Sequence, residues 1–290
     1  MDAILEAKNL TKQYEDFTLR DISLEIPAGC IAGFFGPNGA GKTTLMKLLA
    51  NQVPPSGGAL RVFGLSYAER EKEIKNRLGY VAQDQSFYGD KSVRWTARFV
   101  APAFGGWDGA LFYRLLDDFK VSCSRKVRHL SRGQRTLFSI ALALSHGADL
   151  LILDEPTSGL DVISRRNILD RLRAFVADGA RSVIVSSHIT DGLDEISEYV
   201  YFLNEGRLVL RAEKDELLSK WKCIHFRNGA LGPSIVDRLA DVRKQPFGIS
   251  ALTRDFPDIR EQLAPAVACG DVRVENARLE DILIALVKGA

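Results

Sequence analysis

The stretch CIAGFFGPNGAGKTT, residues 30–44, decides the fold of this 290-residue chain. Its first six residues lack the alternation of a half-exposed strand, and they predict a strand buried on both faces of a parallel sheet. The remainder fits the pattern GxxxxGK[ST] between that strand and a helix, a turn whose N–H groups and helix dipole bind phosphates. The predicted nucleotide-binding residues here are Gly36, Pro37, Asn38, Gly39, Ala40, Gly41, Lys42, Thr43 and Thr44.

Two side chains at the end of this loop have distinct predicted roles. Lys42 neutralises the β- and γ-phosphate oxygens of ATP, and the hydroxyl of Thr43 ligates Mg²⁺. The alternative is a glycine turn that holds a lysine and a threonine by chance. Because the motif stands directly between a predicted buried strand and a predicted helix, the phosphate-binding interpretation is preferred.

Similar apolar runs elsewhere predict an α/β core. Residues 150–153 (LLIL) and 182–187 (SVIVSS) have the composition of buried parallel strands, and residues 17–26 alternate imperfectly, as half-buried antiparallel strands do. Helices are expected at residues 42–50, 133–144 and 164–177. The predicted fold class is therefore α/β, with a mainly parallel nucleotide-binding core and an antiparallel N-terminal β subdomain.

Two regions depart from this pattern. Residues 85–127 are rich in aromatic residues and have helical character, so we place an α-helical subdomain at about 85–145. Aromatic residues of this kind usually form a core, but an exposed part of them could receive a partner's helix. From residue 211 short strand-like pieces mix with helices, which predicts a main domain over 1–210 and a small α+β accessory domain over 211–290.

Two acids follow the predicted strand at 150–153. Asp154 and Glu155 stand at its carboxyl end, where α/β sheets place their sites. Asp154 suits Mg²⁺ through its water shell, while Glu155 reaches beyond the γ-phosphate to polarise an attacking water. The two acids could instead cap the following helix, but a complete phosphate loop in the same chain favours the catalytic interpretation.

The strings on either side of these acids are more specific. PTSGLD follows at 156–161, and LSRGQ precedes at 130–134. With the phosphate loop, they make residues 3–210 resemble the ABC ATPase family, which implies an ATP-hydrolysing domain over 1–210 with an LSxGQ signature in its helical subdomain. In that family two subunits pack head to tail around two ATP molecules. The resemblance implies ATP contacts in trans from Leu130, Ser131, Arg132, Gly133, Gln134 and Asp161.

The signature has an alternative interpretation and one unusual residue. Taken alone, LSRGQ is an ordinary helix start with Ser131 at the N-cap, but its position ahead of LLILDEP favours the signature. The third position is commonly Gly in the family and is Arg132 here, a bulky cation beside the partner's phosphates or the membrane interface. Because Ser131 and Gly133 are retained, activity is expected to persist.

Three other residues match positions of the same family. Tyr14 matches the aromatic residue on which adenine stacks, although a single Tyr beside a strand is often packed core. Gln83 matches the glutamine that contacts Mg²⁺ and begins the segment facing the membrane subunit, with a surface amide as its alternative. His188 matches the switch histidine, which orients the water held by Glu155. The implied catalytic pair is Glu155 and His188, and the implied Mg²⁺ ligands are Thr43, Gln83 and Asp154.

Bulk composition limits the partners. The 39 Lys and Arg residues nearly balance the 37 Asp and Glu residues, so no nucleic acid is expected as a partner. The four cysteines have no CxxC spacing, which argues against a metal or disulfide framework. The N-terminus lacks the features of a secretory signal, and the apolar runs fall short of the ~20 residues of a membrane span.

Membrane contact is therefore expected through a partner. The expected partners are a second ATPase subunit, either a copy or a paralogue, and an integral-membrane permease. The expected location is cytoplasmic, on the inner face of the cell membrane. GWD at 106–108 and NARLEDI at 276–282 resemble exporters of antibiotics, peptides, lipids or polysaccharides. The alternatives are a soluble ABC ATPase acting on ribosomes or DNA, and a catalytically weak ATP-binding subunit.

Overall fold

The computed structural model describes residues 3–187, 192–227, 229–246 and 248–288. The chain separates into two units, one ending at Arg211 and the other beginning at Ala212. The strands of the first unit are β1 (Ala3–Gln13), β2 (Thr18–Pro27), β3 (Ile31–Phe35), β4 (Gly57–Val62), β5 (Leu65–Ser66), β6 (Leu78–Val81), β7 (Leu150–Asp154), β8 (Ser182–Ser187), β9 (Tyr199–Asn204) and β10 (Arg207–Glu213), whose last residues pass the boundary.

Seven described α-helices lie among these strands. They are α1 (Lys42–Leu49), α2 (Tyr67–Arg77), α3 (Val93–Val100), α4 (Gly109–Asp118), α5 (Arg132–Ser145), α6 (Val162–Val176) and α7 (Leu193–Ile196). Two short 3₁₀ turns occur at Ala101–Ala103 and Val127–His129. The helices predicted at 42–50, 133–144 and 164–177 are thus confirmed as α1, α5 and α6, with ends shifted by one or two residues.

A six-stranded sheet, in the order β10-β9-β3-β8-β7-β6, positions the candidate site. Its strands β3, β6, β7, β8 and β9 run parallel. Every residue of β3, β7 and β8 is buried, and α1, α6 and α7 pack against these strands. The three strands predicted from unalternated apolar runs are confirmed, and the predicted α/β fold class with them.

A separate antiparallel sheet, in the order β2-β1-β4-β5, forms the N-terminal β subdomain. Along β2 the side chains of Leu19, Ile22, Leu24 and Ile26 are buried, while most of the residues between them face solvent. These leucines and isoleucines pack into the same core cluster as Ile152 of the parallel sheet. The imperfect alternation in the sequence therefore corresponds to a strand with one buried face and one solvent-exposed face.

The aromatic region is helical, as predicted, and only partly core. Between β6 and β7 the structure has α3, α4 and α5 and no strand, apart from one isolated bridge of Ser92 with Lys126. Phe112 and Phe138 are fully buried, and their rings meet edge to face at 6.3 Å. Other aromatic residues are exposed, among them Tyr88 and Phe99, at 61% and 59%.

The second unit has a βαββαβ arrangement. Its elements are α8 (Lys214–Lys220), β11 (Lys222–Phe226), α9 (Pro233–Val236), β12 (Ala240–Gln245), β13 (Gly248–Thr253), α10 (Phe256–Ala268), β14 (Val272–Asn276) and α11 (Leu279–Lys288). The sheet order is β12-β13-β11-β14, and every neighbouring pair is antiparallel. Ile224, Ile259 and Leu263 belong to a core of its own. Within the described ranges, no helix of either unit has the length and apolar character to cross a membrane.

Candidate functional site

The phosphate loop joins β3 to α1 through backbone conformations that favour glycine. Gly39 and Gly41 have φ values of +80° and +102°, a region that residues with a Cβ rarely adopt. A Cβ on Gly36 would lie 2.2 Å from the carbonyl oxygen of Leu203, so this position also excludes larger residues. Pro37, Asn38 and Gly39 are exposed at the loop tip, Ala40 is buried, and Thr44 is half-buried on α1.

Lys42, the first residue of α1, is folded back over this loop. Its side chain is only 5% exposed, and its Nζ donates to the carbonyl oxygens of Gly36 at 2.9 Å and Pro37 at 3.1 Å. Nζ also lies 3.8 Å from Oε1 of Glu155. Burial lowers the pKa of Lys42, while the charges of Glu155 and Asp154 act in the opposite direction. The structure therefore holds a cation at the loop where phosphate oxygens are expected.

Asp154 ends β7 and is 1% exposed. Its Oδ1 accepts a 2.6 Å hydrogen bond from the hydroxyl of Ser186 on the neighbouring strand β8. Burial raises the pKa of Asp154, whereas the hydroxyls of Ser186 and Thr43 lower it. Its other carboxylate oxygen, Oδ2, is buried and accepts no hydrogen bond from the residues that the structure describes. A buried carboxylate oxygen without a hydrogen-bond partner is unfavourable, and a bound cation would stabilise it.

Glu155 brings together two other predicted residues. Its Oε2 accepts a 3.4 Å hydrogen bond from Nε2 of Gln83, and its Oε1 faces Lys42. Its φ of +50° is rare for a residue with a side chain. Its backbone N–H donates to Oγ of Ser186 at 3.0 Å, which ties this turn to β8. Lys42, Gln83 and Glu155, far apart in sequence, thus meet at the carboxyl edge of the parallel sheet.

The donor set suits Mg²⁺ if phosphates complete the coordination. Asp154 supplies the unpartnered Oδ2, and the Thr43 hydroxyl lies near enough to Asp154 to lower its pKa. Within the described ranges, no group of three or more His, Cys, Asp or Glu side chains is arranged to hold a metal ion alone. Mg²⁺ commonly takes one or two protein carboxylates together with substrate phosphates, and the residues present fit that arrangement.

Tyr14 lies in the turn between β1 and β2 and is 42% exposed. The alternative that it is packed core is therefore wrong. Its N–H donates to the carbonyl oxygen of Phe17 at 2.8 Å, and the Phe17 ring occupies the space where a Cβ of Gly41 would lie. The turn that carries Tyr14 is therefore beside the phosphate loop. The ammonium of Lys12 lies 5.3 Å from the centre of the Tyr14 ring.

The signature residues form a capped helix start. Ser131 Oγ accepts the N–H of Gln134 at 3.1 Å, and the Gln134 side chain accepts the N–H of Ser131 at 3.2 Å, a complete capping box. Leu130 is buried and Arg132 is exposed at the first residue of α5. A Cβ on Gly133 would lie 2.9 Å from Leu160.

Asp161 begins α6 in a similar way. Its Oδ1 accepts the N–H of Ser164 at 2.9 Å, and hydrogen bonds from the backbone and hydroxyl of Ser164 lower the pKa of Asp161. The hydrogen bonds described for Ser131, Gln134 and Asp161 are all local to the two helix starts, and none of these bonds reaches the phosphate loop. His188, the predicted switch histidine, lies outside the described residues.

A groove of about 640 Å³ begins directly beyond Gln83. Residues 84–87, Ala103 and Phe104 line it together with Leu142 and Ala143 of α5 and with His146, which directly follows that helix. The His146 ring stacks on Phe104 with ring centres 4.3 Å apart, and burial lowers its pKa to about 4, so it is neutral. Three buried polar atoms at this groove, Tyr80 Oη, Gln85 Oε1 and His146 Nε2, have no hydrogen-bond partner among the described residues.

Sequence reasoning missed both Ser186 and this groove. Ser186 has only a weak signal in the sequence, since it is a hydroxyl residue that directly follows the buried apolar residues Val183, Ile184 and Val185. Its hydrogen bonds depend on the register of β7 and β8, which pairs Asp154 with Ser186. The groove depends on how α5 packs beside β6, and no local sequence motif predicts that packing.

Comparison with family models gives one match across the site. A model described as ABC transporter matches residues 19–158, which include the phosphate loop, the signature and the two acids. A second model, described as AAA domain, putative AbiEii toxin, Type IV TA system, matches residues 123–194 and overlaps the first.

Curated relatives agree with the first model. The Nod factor export ATP-binding protein I of Cupriavidus pinatubonensis is 33% identical over 224 residues, which cover 75% of this chain and 69% of the relative. The bacitracin transport ATP-binding protein BcrA of Enterococcus faecalis is 32% identical over 75% of this chain and 71% of the relative. The lantibiotic transport ATP-binding protein SrtF of Streptococcus pyogenes is 29% identical over 73% and 92%.

Solved structures repeat the fold. An ATP-binding subunit of an ABC transporter superposes with a TM-score of 0.67 at 26% identity, covering 74% of this chain and 92% of that one. A dimeric ATP-binding cassette in a post-hydrolysis state, bound to ADP and Pi, superposes with a TM-score of 0.65 over 72% of this chain and 98% of that one. At 20% identity this second likeness concerns the fold alone.

Proposed function

The chain belongs to the ABC transporter family, and from that premise we propose that it is the ATP-hydrolysing subunit of an exporter, working on a separate membrane permease. ATP binding and hydrolysis follow from the family. We further propose which residues act, what the subunit assembles with and in which direction it moves cargo. One observation supports it most strongly: Lys42 of the phosphate loop, Gln83 and Glu155 meet at one edge of the sheet.

Each side chain at this edge has a role that its position favours. The loop N–H groups and Lys42 bind the β- and γ-phosphates, exchanging the carbonyl contacts of the Lys42 ammonium for phosphate oxygens. Mg²⁺, when bound, neutralises charge that develops on the phosphates, and Asp154, Thr43 and Gln83 are the residues that would hold it. Glu155 accepts a proton from water as the water oxygen attacks the γ-phosphorus and the bond to ADP breaks. His188 assists by orienting that water.

The remaining nucleotide contacts come from two directions. Tyr14, exposed beside the loop, offers its ring to adenine. Leu130, Ser131, Arg132, Gly133, Gln134 and Asp161 act in trans on the nucleotide of a second ATPase subunit. The start of α5 supports this role because a helix N-terminus and a serine hydroxyl attract a γ-phosphate. Closure of the two subunits on ATP, and its reversal after hydrolysis, drives the permease.

The groove beyond Gln83 receives a short helical segment of the permease. Its walls are mostly apolar, and it begins next to Gln83, whose side chain contacts Glu155. Movement of a docked segment can therefore reach the nucleotide site through Gln83. A subunit docked in this way lies on the cytoplasmic face of the cell membrane, held there by the permease.

Export is the direction that the relatives favour. The curated relatives in three different bacteria are named for Nod factor export, bacitracin transport and lantibiotic transport. The bulk charge of +2 gives no electrostatic support for a nucleic-acid partner, so action on ribosomes or DNA is not favoured.

The proposal is tested by nucleotide binding and by co-purification. Lys42→Ala is expected to weaken ATP binding at least about 10-fold, because a buried phosphate-binding cation is removed. Lys47→Ala, on the exposed side of the same helix α1, is the matched control and should bind like wild type. The wild-type chain should also co-purify with a multi-span permease from detergent-solubilised membranes. Unchanged ATP affinity in Lys42→Ala would contradict the site, and ribosome association without a permease would contradict the transporter role.

A further inference from the structure

Ser186 is one of three buried serines on β8, and it lies beside the two acids at the carboxyl end of β7. It lies on β8 between β3 and β7, and its side chain is 0% exposed. The three residues before it are Val183, Ile184 and Val185, as expected for a strand covered on both faces. A hydroxyl in such a place costs free energy unless it is hydrogen-bonded, so its partners are informative.

Both partners of this hydroxyl belong to the two acids at the carboxyl end of β7, Asp154 and Glu155. Ser186 Oγ donates to Oδ1 of Asp154 at 2.6 Å and accepts the backbone N–H of Glu155 at 3.0 Å. One atom therefore fixes the side chain of the first acid and the main chain of the second. The geometry is available because parallel pairing sets Ser186 directly opposite Asp154.

The consequence for Asp154 is orientation. With Oδ1 committed to Ser186, rotation of the carboxylate is restricted, and Oδ2 is the oxygen that remains without a hydrogen bond among the described residues. For Glu155 the consequence is backbone placement: the bond to its N–H helps to hold a turn with φ of +50°, from which the side chain reaches Lys42 and Gln83. Neither effect requires Ser186 to contact nucleotide.

We propose that Ser186 is a positioning residue for ATP hydrolysis, which aims Asp154 at Mg²⁺ and anchors the main chain of Glu155. This inference rests on the roles proposed above for those two acids and adds the residue that couples them. Hydrogen-bond partners of metal ligands commonly contribute about 10- to 100-fold to metal affinity or activity. Ser186 is expected to act in that range.

The test compares Ser186→Ala with a control that loses an equivalent hydroxyl. Ser182→Ala is that control, because Ser182 is equally buried on the same strand and its Oγ accepts the N–H of Gly29 at 2.9 Å, at the strand's other end. Ser186→Ala is expected to lower kcat about 10- to 100-fold and raise the half-saturating Mg²⁺ concentration. Affinity for a non-hydrolysable ATP analogue without Mg²⁺ should stay unchanged, while the gain in affinity on adding Mg²⁺ should shrink. Ser182→Ala should leave all four quantities near wild type.

A second variant covers the case in which Ser186→Ala does not fold. Ser186→Cys nearly keeps the volume and replaces a strong donor by a weak one, so the same changes in kcat and Mg²⁺ dependence are expected. If a folded Ser186 variant matches Ser182→Ala in kcat and in Mg²⁺ dependence, the proposal is overturned. Asp154→Asn and Glu155→Gln, measured alongside, distinguish a failure of the roles proposed for the two acids from a failure of the positioning role of Ser186. If these two variants still hydrolyse ATP, the underlying roles fail; if they are inactive and Ser186→Ala is normal, only the positioning role fails.

Discussion

Glu155 has a left-handed backbone conformation and lies between Lys42 and Gln83 in the candidate site. A residue with a side chain at φ of +50° costs on the order of 1–3 kcal/mol, and the surrounding bonds must offset that cost. Two of them are the N–H bond to Ser186 and the contact of Oε2 with Gln83. The turn directs the carboxylate toward Lys42, so the strained conformation puts the proposed base beside the proposed phosphate-binding cation.

Glu155→Gln is the variant that isolates the base. It keeps the side chain's shape and removes its ability to take a proton, so we expect kcat to fall at least about 100-fold while ATP still binds. With ATP not consumed, the closed dimer should accumulate and elute at twice the monomer mass on gel filtration. Glu69→Gln, an exposed acid on α2, is the control and should turn over normally. A Glu155→Gln protein that hydrolyses ATP and elutes only as monomer would reject the assignment.

The sequence predicts which residues form the site better than it predicts which of their atoms contact each other. Thr43, Asp154 and Glu155 follow from spacing alone, because a phosphate loop and the end of a buried strand have fixed chemistry. The pairing of Ser186 with Asp154 does not follow, because a one-residue change of strand register would move its hydroxyl to the other face of the sheet. The unpartnered Oδ2 of Asp154 is likewise a fact of packing.

The start of helix α5 has a stability role and a proposed trans role at once. The reciprocal bonds of Ser131 and Gln134 are an intact capping box, so the interpretation of LSRGQ as a helix start is correct for the isolated chain. They are compatible with a phosphate contact, since the helix dipole and the remaining free N–H groups still favour an anion. Arg132 is exposed at the same helix start.

Ser131→Asp separates the two roles. Aspartate caps a helix about as well as serine, so Tm should stay within a few degrees of wild type, whereas Ser131→Ala should cost about 1 kcal/mol. The added carboxylate would stand beside the partner's γ-phosphate, and like-charge repulsion should reduce ATP hydrolysis at least about 10-fold. Thermal unfolding and steady-state ATPase assays measure the two effects. Full activity in a stable Ser131→Asp protein would contradict the trans contact.

The groove beside α5 gives an element-scale prediction about coupling. Ala103 lines the groove, and Ala103→Trp should fill it without touching the nucleotide residues. We expect basal ATP hydrolysis within about 2-fold of wild type, as for most surface substitutions, and loss of the permease on co-purification. Ala110→Trp, at an exposed position of α4, is the matched control and should retain the permease. Equal permease recovery from both variants would show that docking occurs elsewhere.

Three buried strands of the parallel sheet were predictable from their apolar runs. β3, β7 and β8 are continuous runs, and all three are where the sequence predicts them. β6 was missed because its four residues, LGYV, contain Gly79, which in isolation reads as a break. The structure gives the reason for the glycine: a Cβ there would lie 2.6 Å from the Leu151 side chain. β12 and β13 were missed because their sequences, ADVRKQ and GISALT, are mixed in polarity.

At the scale of the whole molecule, the candidate residues fall into two groups, and the side-chain contacts described for one group do not include residues of the other. One group meets at Glu155, and the other is locally bonded at the starts of α5 and α6. If each active site takes one group from each of two subunits, a dimer has two sites and a lone subunit has none. Specific ATPase activity of the purified chain should then rise with protein concentration.

Mixing two inactive variants tests this arrangement directly. In a heterodimer of Ser131→Asp with Glu155→Gln, one site carries both substitutions and the other carries neither, because each site draws Glu155 and Ser131 from different chains. If the variants are mixed in equal amounts before ATP is added, half the dimers are mixed, and about a quarter of all sites are intact. ATPase activity should therefore recover to about a quarter of wild type if the two sites act independently. A mixture no more active than either variant alone would contradict the trans assignment, because a site built within one chain cannot be restored by exchange of subunits.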